Sequence, residues 1–365
     1  MTQRNENNNS EIDSFNNWPP STRYQGSKRR ILPWLHSAIK PLAFETVLDG
    51  FGGTASVSYM FKSMKKKVFF NDLLLSNYHI GLALIENNYI TLDQSDLEFI
   101  LKRNGFKYPS FIQDNFSEIY YLDSENKWLD TVVFNIKMLS QKYQGETLRL
   151  KTAIAFFALF QACLSKRPFN LFHRKNLNLR LADIPRTFGN KTTWDREFSE
   201  LFLRFSEEIS DKIFSNGLDN KAECFDIMKL NETDFDLVYL DPPYTRPDEK
   251  SPQDYYSLYH FLEGLIYYDD WGSKIDFKKK NKSLIKGINT WETNSPEHNF
   301  DCLFKKFQDS IIVVSYGEPG YPSVDKIKDL LLQYKSEVEI VRTDYKYKLN
   351  RKNAKEMHEV LIIGS

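Results

Sequence analysis

One short apolar run ends in two prolines, and this constrains the fold more than any other feature. Phe235-Asp236-Leu237-Val238-Tyr239-Leu240 reads as a buried strand, and Asp241-Pro242-Pro243-Tyr244 follows it directly. A run of this length and composition, closed by proline, is a strand signal. Proline has no amide donor, so the ladder stops there and the turn is stiff. A carboxylate, Asp241, is thus delivered at the C-terminal end of a strand, with an aromatic ring three residues on. That grouping suits a planar ring bearing an exocyclic amino group. The Asp241 carboxylate and the Pro242 carbonyl can accept from the amine, and Tyr244 offers a stacking face. The plainer reading is a tight loop after a strand.

A second strand and turn lie far upstream. Thr46-Val47-Leu48-Asp49 runs into Gly50-Phe51-Gly52-Gly53-Thr54-Ala55, and Val57, Met60 and Phe61 then repeat at helical spacing. Glycines let a backbone approach a ligand closely. Past Gly53 comes Val68-Phe69-Phe70-Asn71-Asp72, a strand ending in an acid. In doubly wound folds an acid at that place accepts from a ribose; the alternative is a solvated turn carboxylate. The spacing G-x-G-x-x-G is missing, which argues against a nicotinamide dinucleotide. G-x-x-x-x-G-K-[ST] is missing too, so a nucleoside triphosphate is not indicated.

Two smaller elements complete the set. Arg23-Tyr24-Gln25-Gly26-Ser27-Lys28-Arg29-Arg30 precedes a helix marked by Ile31, Leu32, Trp34 and Leu35; alone it reads equally well as a basic solvated turn. Glu223-Cys224-Phe225-Asp226 lies ten residues before the catalytic-type strand. Asp226 is either a further carboxylate at the sheet edge or a helix N-cap ahead of Ile227.

In this order, the pieces resemble the D12 class, or alpha group, of N6-adenine-specific DNA methyltransferases, which includes DNA adenine methylase. Tyr24-Gln25-Gly26-Ser27-Lys28 is similar to the family's N-terminal donor element. Asp49-Gly50-Phe51-Gly52-Gly53-Thr54-Ala55 stands where the family has E-P-F-x-G-x-G, with Asp for Glu, Gly for Pro and Ala for the last Gly. Asn71-Asp72 and Cys224-Phe225-Asp226 match the next two elements, and Asp-Pro-Pro-Tyr is intact. The resemblance implies a Rossmann-like α/β sheet that uses S-adenosylmethionine as methyl donor, with an inserted, mainly helical target-recognition domain. It implies donor contacts from Tyr24, Lys28, Asp49, Phe51, Gly53, Asp72, Asp226 and Asp241, and catalysis by Asp241, Pro242, Pro243 and Tyr244. Duplex DNA is the implied substrate, methylated at the adenine N6 amino group by direct transfer to a flipped base. A restriction–modification role with a cognate endonuclease is implied as well, in a bacterial cytoplasm. An RNA base methyltransferase and a catalytically silent DNA-binding subunit are the alternatives.

The order of motifs separates relatives. Nearly two hundred residues lie between the glycine turn and Asp241, room for a domain-sized insertion. Cytosine C5 enzymes need a Pro-Cys nucleophile, and no such pair occurs. The organisation expected is a disordered arm over residues 1–17, a catalytic domain from 18–85 and 219–365, and the insertion from 86–218. In the insertion, Leu148 to Phe160 predicts a strongly apolar helix, and Trp194 to Phe205 an amphipathic one. Segments 338–341 and 359–363 are expected to pair as closing antiparallel strands.

Between residues 165 and 180, basic, amide and aromatic side chains interleave. Lys166, Arg167, Asn170, Arg174, Lys175, Asn176 and Arg180 are the candidate DNA contacts there, since Arg and Lys neutralise phosphates and Arg and Asn can read base edges. The chain carries 49 basic and 49 acidic residues, so any DNA-binding face must be local. The second basic run, Lys278 to Lys282, reads as a solvated face. Three separated cysteines and six histidines without metal-ligand spacing predict reduced thiols and no metal. No membrane span is expected.

Overall fold

The computed structural model describes residues 18–182, 191–243, 245, 254–285, 287, 291, 294–347 and 357–365. The expected arm, residues 1–17, and Tyr244 lie outside the described residues. Seven strands form one sheet: β1 (Thr46–Asp49), β2 (Lys67–Asn71), β3 (Lys221–Glu223), β4 (Leu237–Leu240), β5 (Ile311–Glu318), β6 (Val338–Tyr347) and β7 (Met357–Gly364). Their spatial order is β3-β2-β1-β4-β5-β7-β6. The first five are parallel, and β7 enters antiparallel between β5 and β6. The closing pair therefore forms as the sequence suggests.

The short central strands are covered on both faces, which is why they read as unbroken apolar runs. Successive side chains point to opposite faces. Val47, Leu237 and Tyr239 enter one core, while Leu48, Val238 and Leu240 enter the other. Helices Pro296–Lys306 and Val324–Leu331 cover the second face through Phe300, Leu303, Phe304, Ile327 and Leu331. Ser323 caps the latter helix, and Leu332, which ends it, is exposed. Helices Leu32–Ile39, Ser56–Ser63 and Tyr255–Ile266 cover the first face.

The long insertion runs between β2 and β3 and is helical. Its centre is Gly145–Ser165, buried on every side from Ala153 onward. By length and composition that helix could cross a membrane, but here it is mostly buried among other helices. Phe198–Ser210 packs against it through Phe198, Leu201, Phe202, Phe205 and Ile209. The single helix expected from Trp194 onward is in fact two, Lys191–Asp195 and Phe198–Ser210. The break falls where the buried Lys166 ammonium takes the Arg196 carbonyl, which a continuous helix would need for itself. The buried side chains of the insertion are continuous with the first-face core, so these helices and the sheet share one hydrophobic interior.

Candidate active site

β1 and β4 are neighbours, yet the chain leaves them toward opposite edges of the sheet. Such a reversal opens a crevice beyond the carboxyl ends of the strands. Asp49 pairs in register with Tyr239, so the turns after β1 and β4 emerge side by side. A cleft lies over them, lined by residues of both turns. Tyr24, Lys28, Asp49, Phe51, Gly53, Asp72, Asp241, Pro242 and Pro243 all line it. Residues chosen from four separate stretches of sequence thus meet at one place.

Gly53 has φ +52°, a left-handed conformation that glycine adopts without strain. Ala55 stands at φ +59° where the resembling family has glycine; the backbone bend survives the substitution. Asp72 fixes this turn: its Oδ2 accepts from Gly53 N at 2.8 Å and its Oδ1 from Leu74 N at 2.8 Å. Burial raises the Asp72 carboxyl above its ordinary range, against these donors. Asp49 ends β1 and accepts from Ser58 Oγ at 2.6 Å. Its other oxygen is buried without a partner among the described residues. Burial lifts its pKa to about 7, Ser58 opposing and the charges of Asp241 and Asp72 adding.

Asp241 meets the Lys28 ammonium at 2.9 Å. The same ammonium lies 3.2 Å from Glu359 of β7. Lys28 therefore lines the cleft, with its charge engaged by two carboxylates. Burial pushes Asp241 up to about 6, Lys28 pulling down and Glu359 pushing up. The turn after it is held by Trp291, whose Nε1 donates to the Pro243 carbonyl at 3.0 Å and whose ring meets Phe51 edge-on at 5.2 Å. Trp291 thus joins the two turns. The sequence carries no signal for this, since Trp291 sits in no motif.

The opposite wall is a stack of tyrosines. Tyr24 lies parallel to Tyr259 at 4.3 Å and to Tyr255 at 5.7 Å. Gly26 admits this stack: a Cβ there would lie 2.9 Å from the Tyr255 hydroxyl. Of the aromatics after the Asp-Pro-Pro turn, Tyr255 and Tyr256 face the cleft, while Tyr259 and Phe261 are buried.

Asp226 is not among the residues lining the cleft. It caps the short helix Ile227–Lys229, accepting from Met228 N at 3.1 Å. Of the two readings, the helix cap is the one formed by this side chain.

The candidate DNA segment divides in two. Lys166, Arg167 and Arg180 are buried, which corrects the expectation that they meet DNA. Arg180 forks onto Glu125 at 2.7 and 2.5 Å, and Lys166 reaches the same carboxylate at 2.7 Å. Burial pushes Glu125 up, but Arg180 and Lys166 hold it below its ordinary range. Arg167 donates to the carbonyls of Leu171, Lys175 and Arg174 at 3.1, 2.9 and 2.6 Å, with its guanidinium over the Tyr120 ring. These charges shape the loop from within. Arg174 and Lys175 stay exposed, and Asn170 and Asn176 are half-buried with positive φ. Phe169, also at positive φ, is 59% exposed.

The donor set suits a cationic ligand. Three carboxylates, Asp49, Asp72 and Asp241, face the cleft against one ammonium, and the unpartnered Asp49 oxygen asks for a donor. Comparison with known proteins agrees. A curated relative, the Type II methyltransferase M2.HphI of Haemophilus parahaemolyticus, is 27% identical over 350 residues, covering 94% of this chain and 96% of that protein. The family model for D12 class N6 adenine-specific DNA methyltransferases matches residues 24–316, from the first tyrosine of the stack into β5. With donor turn, acid and Asp-Pro-Pro element gathered at one switch point, the chain belongs to the D12 class of N6-adenine-specific DNA methyltransferases.

Proposed function

We propose that this adenine methyltransferase acts at a specific sequence in duplex DNA, on a flipped base, by direct transfer. S-adenosylmethionine, the donor that family membership implies, supplies an electrophilic methyl group on a sulfonium. The observation that carries the reading is Asp241, placed on a rigid turn at the cleft wall with Oδ1 engaged by Lys28. Its Oδ2 and the Pro242 carbonyl are then the acceptors for the two amino hydrogens. Accepting both draws electron density onto a nitrogen whose lone pair is otherwise delocalised into the ring. The enzyme's contribution is orientation and preorganised charge, with no covalent intermediate. Tyr244 would stack on the base. A base inside a duplex cannot reach such a cleft, so flipping is required.

Asp49 and Asp72 would hold the cationic and ribose portions of the donor, with Tyr24 and Phe51 as apolar walls. Target recognition is assigned to the helical insertion, through Asn170, Arg174, Lys175 and Asn176. By its similarity to a Type II methyltransferase, the protein serves a restriction–modification system, with an endonuclease reading the same site and a cytoplasmic, DNA-associated location. Expression in a cell lacking adenine methylation, followed by sequencing with adenine-modification readout, tests the activity and its sequence specificity. One methylated motif is expected. Unmodified DNA, or modification without sequence preference, overturns the reading.

A further inference from the structure

Beneath the cleft, one ammonium is shared by two carboxylates from strands at different places in the sheet. Lys28 Nζ is 2.9 Å from Asp241 Oδ1 and 3.2 Å from Glu359 Oε1. Glu359 is 1% exposed and receives the Ser315 hydroxyl on that same oxygen at 2.6 Å. Ser315 is fully buried on β5, and Glu359 follows from the antiparallel entry of β7 beside it. Burying a carboxylate is costly unless it is paired and hydrogen-bonded. Here the cost is met at a position that no catalytic motif includes, on a strand that contributes no residue to the cleft lining.

The geometry points to Glu359 as a positioning residue: fixed by Ser315, it holds the Lys28 ammonium in place, and Lys28 in turn sets the orientation of Asp241. An ammonium is a compact point charge on a flexible stem, with no preferred direction of its own. Held by Asp241 alone, Lys28 could follow that carboxylate through its rotamers. Held also by Glu359, it presents a fixed cation, so one Asp241 oxygen is committed and the other is turned to the cleft. The inference rests on the reading of Asp241 as acceptor for the adenine amino group.

Other titratable groups face this cluster. Asp49 from β1, Tyr239 from β4 and Tyr255 from the helix after the Asp-Pro-Pro turn all feel the Asp241 charge. The Glu359 charge raises Asp241, opposing Lys28. Its neutralisation therefore has a readable sign.

The test compares wild type with E359Q in steady-state methylation of a duplex containing the recognised site. Glu359→Gln should lower kcat by about 10- to 100-fold, the range expected when a reacting group loses its alignment. KM for DNA and the donor affinity by calorimetry should stay within about two-fold. The acid limb of the kcat–pH profile should move to lower pH, because a charge that raises Asp241 is gone. A purely structural Glu359 would lower thermal stability and leave kcat and the limb in place, and that result overturns the proposal. If E359Q does not fold, Ser315→Ala keeps the charge but releases its anchor. It should then lower kcat several-fold with donor affinity unchanged; unchanged kcat overturns the proposal. A wild-type protein that fails to methylate adenine sinks the functional reading itself, whatever the variants do.

Discussion

Asp72 accepts the backbone N–H of Gly53 at 2.8 Å, so the acid that ends β2 shapes the glycine turn that follows β1. A carboxylate read from sequence as a ligand contact is also a structural brace. Its second oxygen holds Leu74 N, at the start of the segment leading into helix Leu75–Gly81.

Substitutions of Asp72 should therefore separate two roles. Asp72→Ala removes both braces and the donor contact, lowering stability and weakening S-adenosylmethionine by about 1.5–3 kcal/mol, as for hydrogen bonds to a charged group. Asp72→Asn keeps size and one acceptor, so its melting point should lie closer to wild type while donor affinity still falls. Calorimetric titration beside a thermal melt checks both. Unchanged donor affinity in both variants would leave Asp72 as a turn residue only.

Asp241→Ala should reduce methyl transfer by at least about 100-fold, the effect of removing one preorganised electrostatic contact, with DNA affinity little changed. Wild-type turnover should depend on pH in a defined direction. Burial lifts Asp241 to about 6. Above that pH the carboxylate is ionised and accepts; below it a proton occupies the group. Turnover should rise through pH 6 and be lost in acid. A rate flat between pH 5 and 8 would contradict this.

Arg174 and Arg167 are seven residues apart and should behave oppositely. Arg174 is exposed, and Arg174→Ala should weaken DNA binding at all sequences while shrinking the salt slope by about one unit. Arg167 is buried under three carbonyls. Arg167→Ala should destabilise the fold by about 3 kcal/mol, since buried acceptors lose their donor. Urea unfolding and filter binding at two salt concentrations distinguish the pair. Equal stability losses in both variants would mean that the loop is not organised as described.

Glu263 accepts from Leu75 N and Ser76 N at 3.1 and 2.7 Å, bracing the start of helix Leu75–Gly81 from the neighbouring helix. Burial raises its pKa from 4.5 to about 7, the Ser76 and Leu75 N–H groups opposing. The folded state thus binds this proton more tightly than the unfolded chain. Stability should fall as pH rises between about 4.5 and 7, with Asp49 adding to the same slope. Glu263→Gln should flatten the slope measured by urea unfolding at pH 5 and pH 8. An unaltered slope would show that Glu263 does not contribute.

The sequence by itself determined three central strands, the closing antiparallel pair and most of the cleft. Central parallel strands bury both faces, so they are legible as apolar runs, and the turns that end them open onto the crevice, where side chains are free to meet a ligand. Asp49, Gly53, Asp72 and Asp241 were readable for that reason. What only the tertiary structure decided is how charges are spent. Arg167, Lys166 and Arg180 look like DNA contacts in a basic segment, yet folding buries them against carbonyls and Glu125. Asp226 turns to a local N–H, Trp291 joins two turns from outside any motif, and Glu359 reaches Lys28 from a strand near the chain's end. A side chain's type states what it can bond. Which partner it meets depends on non-local packing, where desolvation penalises every charge left without a partner.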